Sequence, residues 1–123
     1  MIASEERDKS IIAHILKYCK RIDECFSRFG NSYEIFLSDD IFRDAVSMAE
    51  LQIGELSGHL SYDFKERTKE EIPWNEVRGM RNHFAHDYIN MDIEKIWNVA
   101  TEYIHILRKF CEAQLKAFEQ TDD

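Results

Sequence analysis

The sequence predicts an all-α protein: one domain over residues 1–123, built as an up-and-down bundle of four to five helices. Three observations lead there. Apolar residues recur at spacings of three and four along most of the chain, the repeat of a helix that buries one face. Only 4 Gly and 1 Pro occur in 123 residues, too few to punctuate many short strands. The stripes are joined by short connections, as in antiparallel helix pairs, without an internal repeat or a low-complexity linker. A chain of this length buries one sizeable core but not two independent ones.

Taken in order, Ile11, Ile12, Ile15, Leu16, Cys19, Ile22, Phe26 and Phe29 predict a first helix from Lys9 to Phe29. Gly30-Asn31 supplies its stop, since both residues tolerate the left-handed conformation that ends helices. Tyr33 to Leu37 reads as a single turn. Ser38-Asp39-Asp40 then offers cap and dipole chemistry for a second long helix from about Asp39 into the mid-sixties. Its expected inner face is Ile41, Phe42, Ala45, Met48, Ala49, Gln52, Ile53 and Leu56. Gly54 and Gly58 fall inside it and point to close helix packing or simple tolerance. The polar run Asp63 to Glu71 reads as a connection or frayed end. Pro73 suits the first turn of a third helix running to about Ala85, with Trp74, Val77, Met80 and Phe84 inward. A fourth begins near Asp92 and carries Ile93, Ile96, Trp97, Ala100, Tyr103, Ile104, Leu107, Cys111, Leu115 and Phe118 at helical spacing.

Composition narrows the function classes. No apolar run approaches the roughly 20 residues that span a bilayer. The start, Met1 to Arg7, lacks the charged-then-apolar order of a signal peptide, so a cytoplasmic protein with no membrane partner is expected. Cys19, Cys25 and Cys111 are odd in number, form no C-x-x-C pair and fall in apolar helical patterns, so they read as reduced packing residues. A net charge of -8 and a pI near 5.1 argue against tight non-specific binding to a phosphate backbone. A nucleic-acid substrate would have to be recognised locally.

Reactive groups concentrate between the third and fourth helices, where Arg78, Arg81, Asn82, His83, His86, Asp87, Tyr88 and Asn90 stand close together. A helix turns about 100° per residue, so Arg81 and Tyr88 would share a face while His86 would sit about 140° from Arg81. Arg81 and His86 therefore cooperate only if the helix unwinds near Ala85-His86 or if a second copy of the chain completes the site. The chemistry open to such a pair is cleavage of RNA. A histidine can take the proton of a ribose 2′-hydroxyl or protonate the leaving oxygen, and an arginine fork can hold the phosphate. The products would be a 2′,3′-cyclic phosphate and a 5′-hydroxyl, no metal or other cofactor is needed, and DNA would be spared. Bland readings stand beside this one. Asn82 could orient a reacting group or cap a helix end. Arg78 could extend the phosphate site or pair with Glu76 or Glu94. Tyr88 could be a half-buried aromatic with a wet hydroxyl. His83 and Asp87 share a helical face, but no H-E-x-x-H motif and no nearby Cys supports a metal site. His14, His59 and His105 show no partner pattern and read as structural.

The blocks Phe36-Leu37-Ser38-Asp39, Ile53-Gly54-Glu55, Ile72-Pro73-Trp74, Arg78-Gly79-Met80-Arg81-Asn82, His86-Asp87-Tyr88 and Asp92 through Trp97 resemble those of the HepT-like ribonucleases of the HEPN superfamily. The R-x-x-x-x-H-x-Y pattern of that family is matched by Arg81, His86 and Tyr88. The resemblance implies a homodimer whose two motifs line a shared cleft. It implies the toxin of a type VII-like toxin-antitoxin pair, with Arg81 and His86 catalytic and Asn82 and Arg78 in support. The cognate antitoxin of such proteins is a minimal nucleotidyltransferase that attaches AMP to the motif tyrosine, here Tyr88. Two features depart from the pattern, the extra imidazole of His83 and the acidic overall charge. A helical subunit that binds nucleotide or docks a nucleotidyltransferase without cleaving RNA fits the same fold, and a purely structural oligomerisation module is a third reading.

Overall fold

A computed structural model describes residues 3–81 and 92–121, and among them every regular element is helical. Helix α1 (Ala3–Phe29) starts six residues before the expected Lys9, with Glu5 and Glu6 in its first turn and Arg28 in its last, both favourable to the helix dipole. It stops where expected. Gly30 takes φ +100° and donates its N–H to the Phe26 carbonyl at 2.9 Å, a left-handed ending that suits glycine. Helix α2 (Tyr33–Ser38) is capped by Ser32, and Asp39 both closes α2 and opens α3 (Asp40–Ser57), its Oδ1 accepting from the Ile41 and Phe42 amides at 3.0 and 3.1 Å.

Two expectations fail in this region. The second long helix does not continue into the mid-sixties but ends at Ser57, with Gly58 as its cap and the His59 and Leu60 amides bonded to the Leu56 and Ser57 carbonyls. The polar run that followed is not a frayed connection. Helix α4 (Tyr62–Thr68) begins there under a Ser61 cap and buries Phe64 and Thr68. The Thr68 hydroxyl bonds back to the Phe64 carbonyl at 2.7 Å and accepts the Trp74 indole N–H at 2.9 Å, which ties α4 to the next helix. Pro73 caps rather than enters α5 (Trp74–Gly79). Asp92 caps α6 (Ile93–Asn98) as expected, accepting from the Lys95 amide at 3.1 Å. A wider π turn at Val99–Tyr103 then leads into α7 (Ile104–Thr121), an irregularity that apolar spacing did not announce. Phe84 and Ala85, at the expected end of the third helix, lie outside the described residues.

The packing is up-and-down. The start of α1 meets the end of α3, where Asp8 accepts from the Ser61 amide at 2.8 Å and from its hydroxyl at 2.6 Å. The end of α1 meets the start of α3 through the edge-to-face pair Phe26 and Phe42, and meets α7 near its start through Arg108 and Asp23 at 2.6 Å. Both α3 and α7 thus run antiparallel to α1. The central core joins Ile12, Ile15 and Cys19 of α1 with Ile53 of α3 and Leu107 and Cys111 of α7. A second cluster packs Phe36, Phe42 and Trp97 around Phe26 and Phe29 at the other end. Because Asp8 is 4% exposed and its two bonds are charge-assisted, Asp8→Ala is expected to cost about 1–3 kcal/mol, read as a fall in Tm by thermal melting.

The three cysteines are free and buried, as packing residues should be. Burial pushes the Cys19 thiol up to about 12 and raises Cys111 as well, with like-charged neighbours adding to both, so neither is poised as a nucleophile. The inner face of α3 departs from expectation. Phe42, Val46, Ala49 and Ile53 are buried, whereas Ile41 and Met48 are 71% and 53% exposed. The expected stripe was too wide. The buried arc is centred on Phe42 and Ile53, and Ile41 and Met48 turn to the outside.

Candidate active site

The site is built on a close approach of α5 to α3, which two glycines one turn apart permit. A Cβ on Gly54 would lie 3.0 Å from the Arg81 amide nitrogen and 3.3 Å from the Val77 carbonyl oxygen. A Cβ on Gly58 would lie 3.2 Å from Arg78 Nε. The backbone of α5 therefore rests on the bare backbone of α3 at Gly54, and the Arg78 side chain crosses Gly58. This is the close helix packing that the two glycines suggested. Trp74 and Val77 anchor α5 in the core, and a tightened last turn, with Met80 and Arg81 amides bonded to Val77 and Arg78 carbonyls, delivers Arg81 at the helix end.

Arg81 is half-exposed, and its Nη1 lies 3.5 Å from Oε1 of Glu55, itself half-exposed. An ion pair this long and this wet is worth little, so it steers the guanidinium without tying it down, and an arriving phosphate can take the fork from Glu55. Glu55 was not among the expected site residues, although its place directly after Gly54 was the available signal. Arg78 is exposed and, among the described residues, forms no ion pair with Glu76, Glu94 or any other acid. The structure thus brings Arg78 and Arg81 to the flank of α3 that carries Gly54, Glu55 and Gly58. Asn82, His83, His86, Asp87 and Tyr88 lie outside the described residues. On the other side of α5 a cleft of about 400 Å³ opens toward the π turn, with Val77, Met80 and Val99 in its walls and Glu76 and Lys95 as its charged groups.

One neighbour of this flank has no counterpart in the sequence reading. Glu50 is 2% exposed and Ser47 is 5% exposed on α3, and among the described residues the buried Glu50 Oε2 and Ser47 Oγ atoms have no hydrogen-bond partner. Such a group costs about 1–3 kcal/mol, and native proteins hold few of them. Burial pushes the Glu50 carboxyl well above the usual carboxylate range. In the unfolded chain the same group ionises above its ordinary 4.5. The folded state therefore loses relative stability as pH rises from there toward the raised value, and is spared below it. Glu50→Gln, which cannot ionise, is expected to lose less stability than the parent between about pH 5 and about pH 7, as thermal melts at both pH values will show.

The all-α bundle and the helix laid on α3 at Gly54 define the class: a helical protein that carries Arg78 and Arg81 on one edge. The chain belongs to the ribonuclease HepT-like family, whose model matches residues 15–114. It is 30% identical over 98 residues to a Methanocaldococcus jannaschii protein named provisionally as an RNase, covering 80% of this chain and 81% of that one. It is 31% identical over 98 residues to a similarly named protein of Caldanaerobacter subterraneus, covering 80% and 85% of the two chains. Over 76 residues it is 38% identical to a Thermococcus cleftensis protein named provisionally as ribonuclease HepT, covering 62% of this chain and 68% of that one. No solved structure matches. Family and relatives together support ribonuclease activity on RNA. No helix among the described residues is long and apolar enough to cross a membrane.

Proposed function

We propose that this protein is a metal-independent endoribonuclease that acts as the toxin of a toxin-antitoxin pair. The observation that carries the reading is the placement of Arg81, first residue of the R-x-x-x-x-H-x-Y motif, at the end of a helix seated on Gly54, with a loose pair to Glu55 at its fork among the described residues. Arg81 binds the scissile phosphate and the charge that develops on it, and Arg78 extends that contact. His86 moves the proton of the 2′-hydroxyl or of the leaving oxygen, and Asn82 orients one of the reacting groups. Supply of the nucleophile by the substrate's own ribose accounts for a reaction that spares DNA.

The active form is a homodimer. Continued helical geometry would set His86 about 140° from Arg81, which two copies sharing a cleft relieve. The outer face of α3, with Ile41 and Met48 exposed one heptad apart and Glu55 further along, supports a second copy packing beside the Arg81 edge. The antitoxin is a minimal nucleotidyltransferase that attaches AMP to Tyr88. The added anion and bulk, seven residues from Arg81, repel the RNA phosphate.

Expression of the protein alone is expected to arrest growth, and coexpression with the nucleotidyltransferase to relieve the arrest and add one AMP mass to the peptide containing Tyr88. An adduct on another residue, or relief without an adduct, would remove Tyr88 from the scheme. An overexpressed protein that leaves growth unaffected would favour the non-cleaving docking subunit, which the charge of -8 also suits.

A further inference from the structure

The cleft between α5 and the π turn plays no part in phosphate binding by Arg81, yet it has the chemistry of a ligand site. Val77, Met80 and Val99 form apolar walls, and Glu76 and Lys95 are its charged groups. Its volume of about 400 Å³ falls in the range of small-molecule pockets, which combine apolar walls with a few polar groups. Tyr103 lines the same cleft, and its hydroxyl oxygen is buried with no hydrogen-bond partner among the described residues. Native proteins leave few such atoms unpaired. Burial pushes the Tyr103 phenol up to about 12, and the nearby Glu76 carboxylate adds to the rise. The group therefore keeps its proton at neutral pH and can both donate and accept. Val99 and Tyr103 begin and end the π turn, a departure from regular helix that recurs at functional positions.

The balance of charge selects the kind of ligand. Glu76 and Lys95 cancel, so the cleft favours an uncharged ring over a phosphate, and its apolar walls suit the faces of a flat heteroaromatic ring. The two oxygens of Glu76 accept only, and so favour a ring edge that presents N–H groups. Guanine offers two adjacent N–H donors on its Watson–Crick edge, whereas uracil offers one between two carbonyls that a carboxylate repels. Met80, in the cleft wall, directly precedes Arg81 at the end of α5. A helix is about 10 Å across, so a splayed strand whose phosphate meets Arg81 reaches the cleft within about two nucleotides.

We infer that this cleft takes an unstacked base of the RNA substrate close to the cut, guanine in preference to uracil, with Glu76 and Tyr103 as the specificity-determining residues. The inference rests on the ribonuclease reading.

The test varies the base at each position around the mapped cut of a ribo-oligonucleotide and measures kcat/KM for the full-length protein. At one position guanine is expected to exceed uracil by about tenfold or more. Glu76→Gln and Tyr103→Phe should each reduce that preference to about threefold or less, while thermal melting finds both variants folded. A preference absent at every position near the cut, or one that survives both substitutions, would overturn the inference. A second readout does not depend on cleavage: the methyl NMR signals of Val77 and Val99 are expected to shift on titration with guanosine, and to shift less with uridine or in Glu76→Gln. If the parent does not cleave, or if Arg81→Ala cleaves like the parent, the ribonuclease reading fails. The titration then decides the cleft alone, shifted methyls keeping it as a nucleobase site and unmoved methyls overturning it.

Discussion

Arg81→Ala and His86→Ala are each expected to abolish growth arrest and to lower RNA cleavage by about 10²–10⁴-fold, while the protein stays folded. For Arg81 the structural half of this statement follows from its surroundings. Its side chain is 39% exposed and its pair with Glu55 is long, so truncation removes a phosphate contact and almost no folding energy. Arg81→Lys is a sharper version, since a point charge replaces a planar fork and bidentate phosphate binding is lost while net charge is kept. Thermal melts beside cleavage assays check both. Toxicity that survives Arg81→Ala and His86→Ala would sink the nuclease assignment.

The second large effect is expected away from the reacting groups. Alanine at Gly54 gains about 1 kcal/mol in helix propensity, yet its Cβ would stand 3.0 Å from the Arg81 nitrogen and 3.3 Å from the Val77 oxygen, both backbone atoms that cannot swing aside. Overpacking of this kind costs about 1–3 kcal/mol, so the steric term wins. Gly54→Ala should lower Tm and, by pushing α5 and Arg81 off α3, reduce cleavage by about tenfold or more. Gly79 provides the contrast. Among the described residues, its chain neighbours and own helix backbone aside, no heavy atom lies within 4 Å of the Cβ it would gain, and its φ is not positive, so Gly79→Ala should stabilise by about 0.4–1 kcal/mol. If Gly79→Ala destabilises more than Gly54→Ala, the seating of α5 on α3 is wrong.

What the sequence revealed and what it hid follow from the range of the interactions concerned. The caps at Asp39 and Asp92, the stop at Gly30 and the burial of the cysteines are local or periodic signals, and each was readable from a few neighbouring residues. The end of α3 at Ser57 was not, because a glycine inside an apolar repeat reads equally as tolerated or as terminal until its tertiary neighbours are known. Helix α4 was hidden because only Phe64 and Thr68 of its residues are buried, which leaves a charged sequence with no stripe. The exposure of Ile41 and Met48 depends on which flanks of α3 are covered by α1 and α5, a property of packing and not of spacing. At the site, the motif was visible as a dense run of reactive groups. Glu55 was not, since its bearing on Arg81 comes only from the placement of α5 on Gly54.

The central claim is that Arg81 and His86 cleave RNA by attack of its own 2′-hydroxyl. The direct measurement is digestion of a ribo-oligonucleotide by the purified protein in excess chelator, beside the same oligonucleotide with one 2′-deoxy residue at the mapped cut. Cleavage should persist in chelator, leave a 2′,3′-cyclic phosphate and a 5′-hydroxyl, and vanish at the 2′-deoxy position. Cleavage that stops in chelator, or that continues at the deoxy position, would contradict the account.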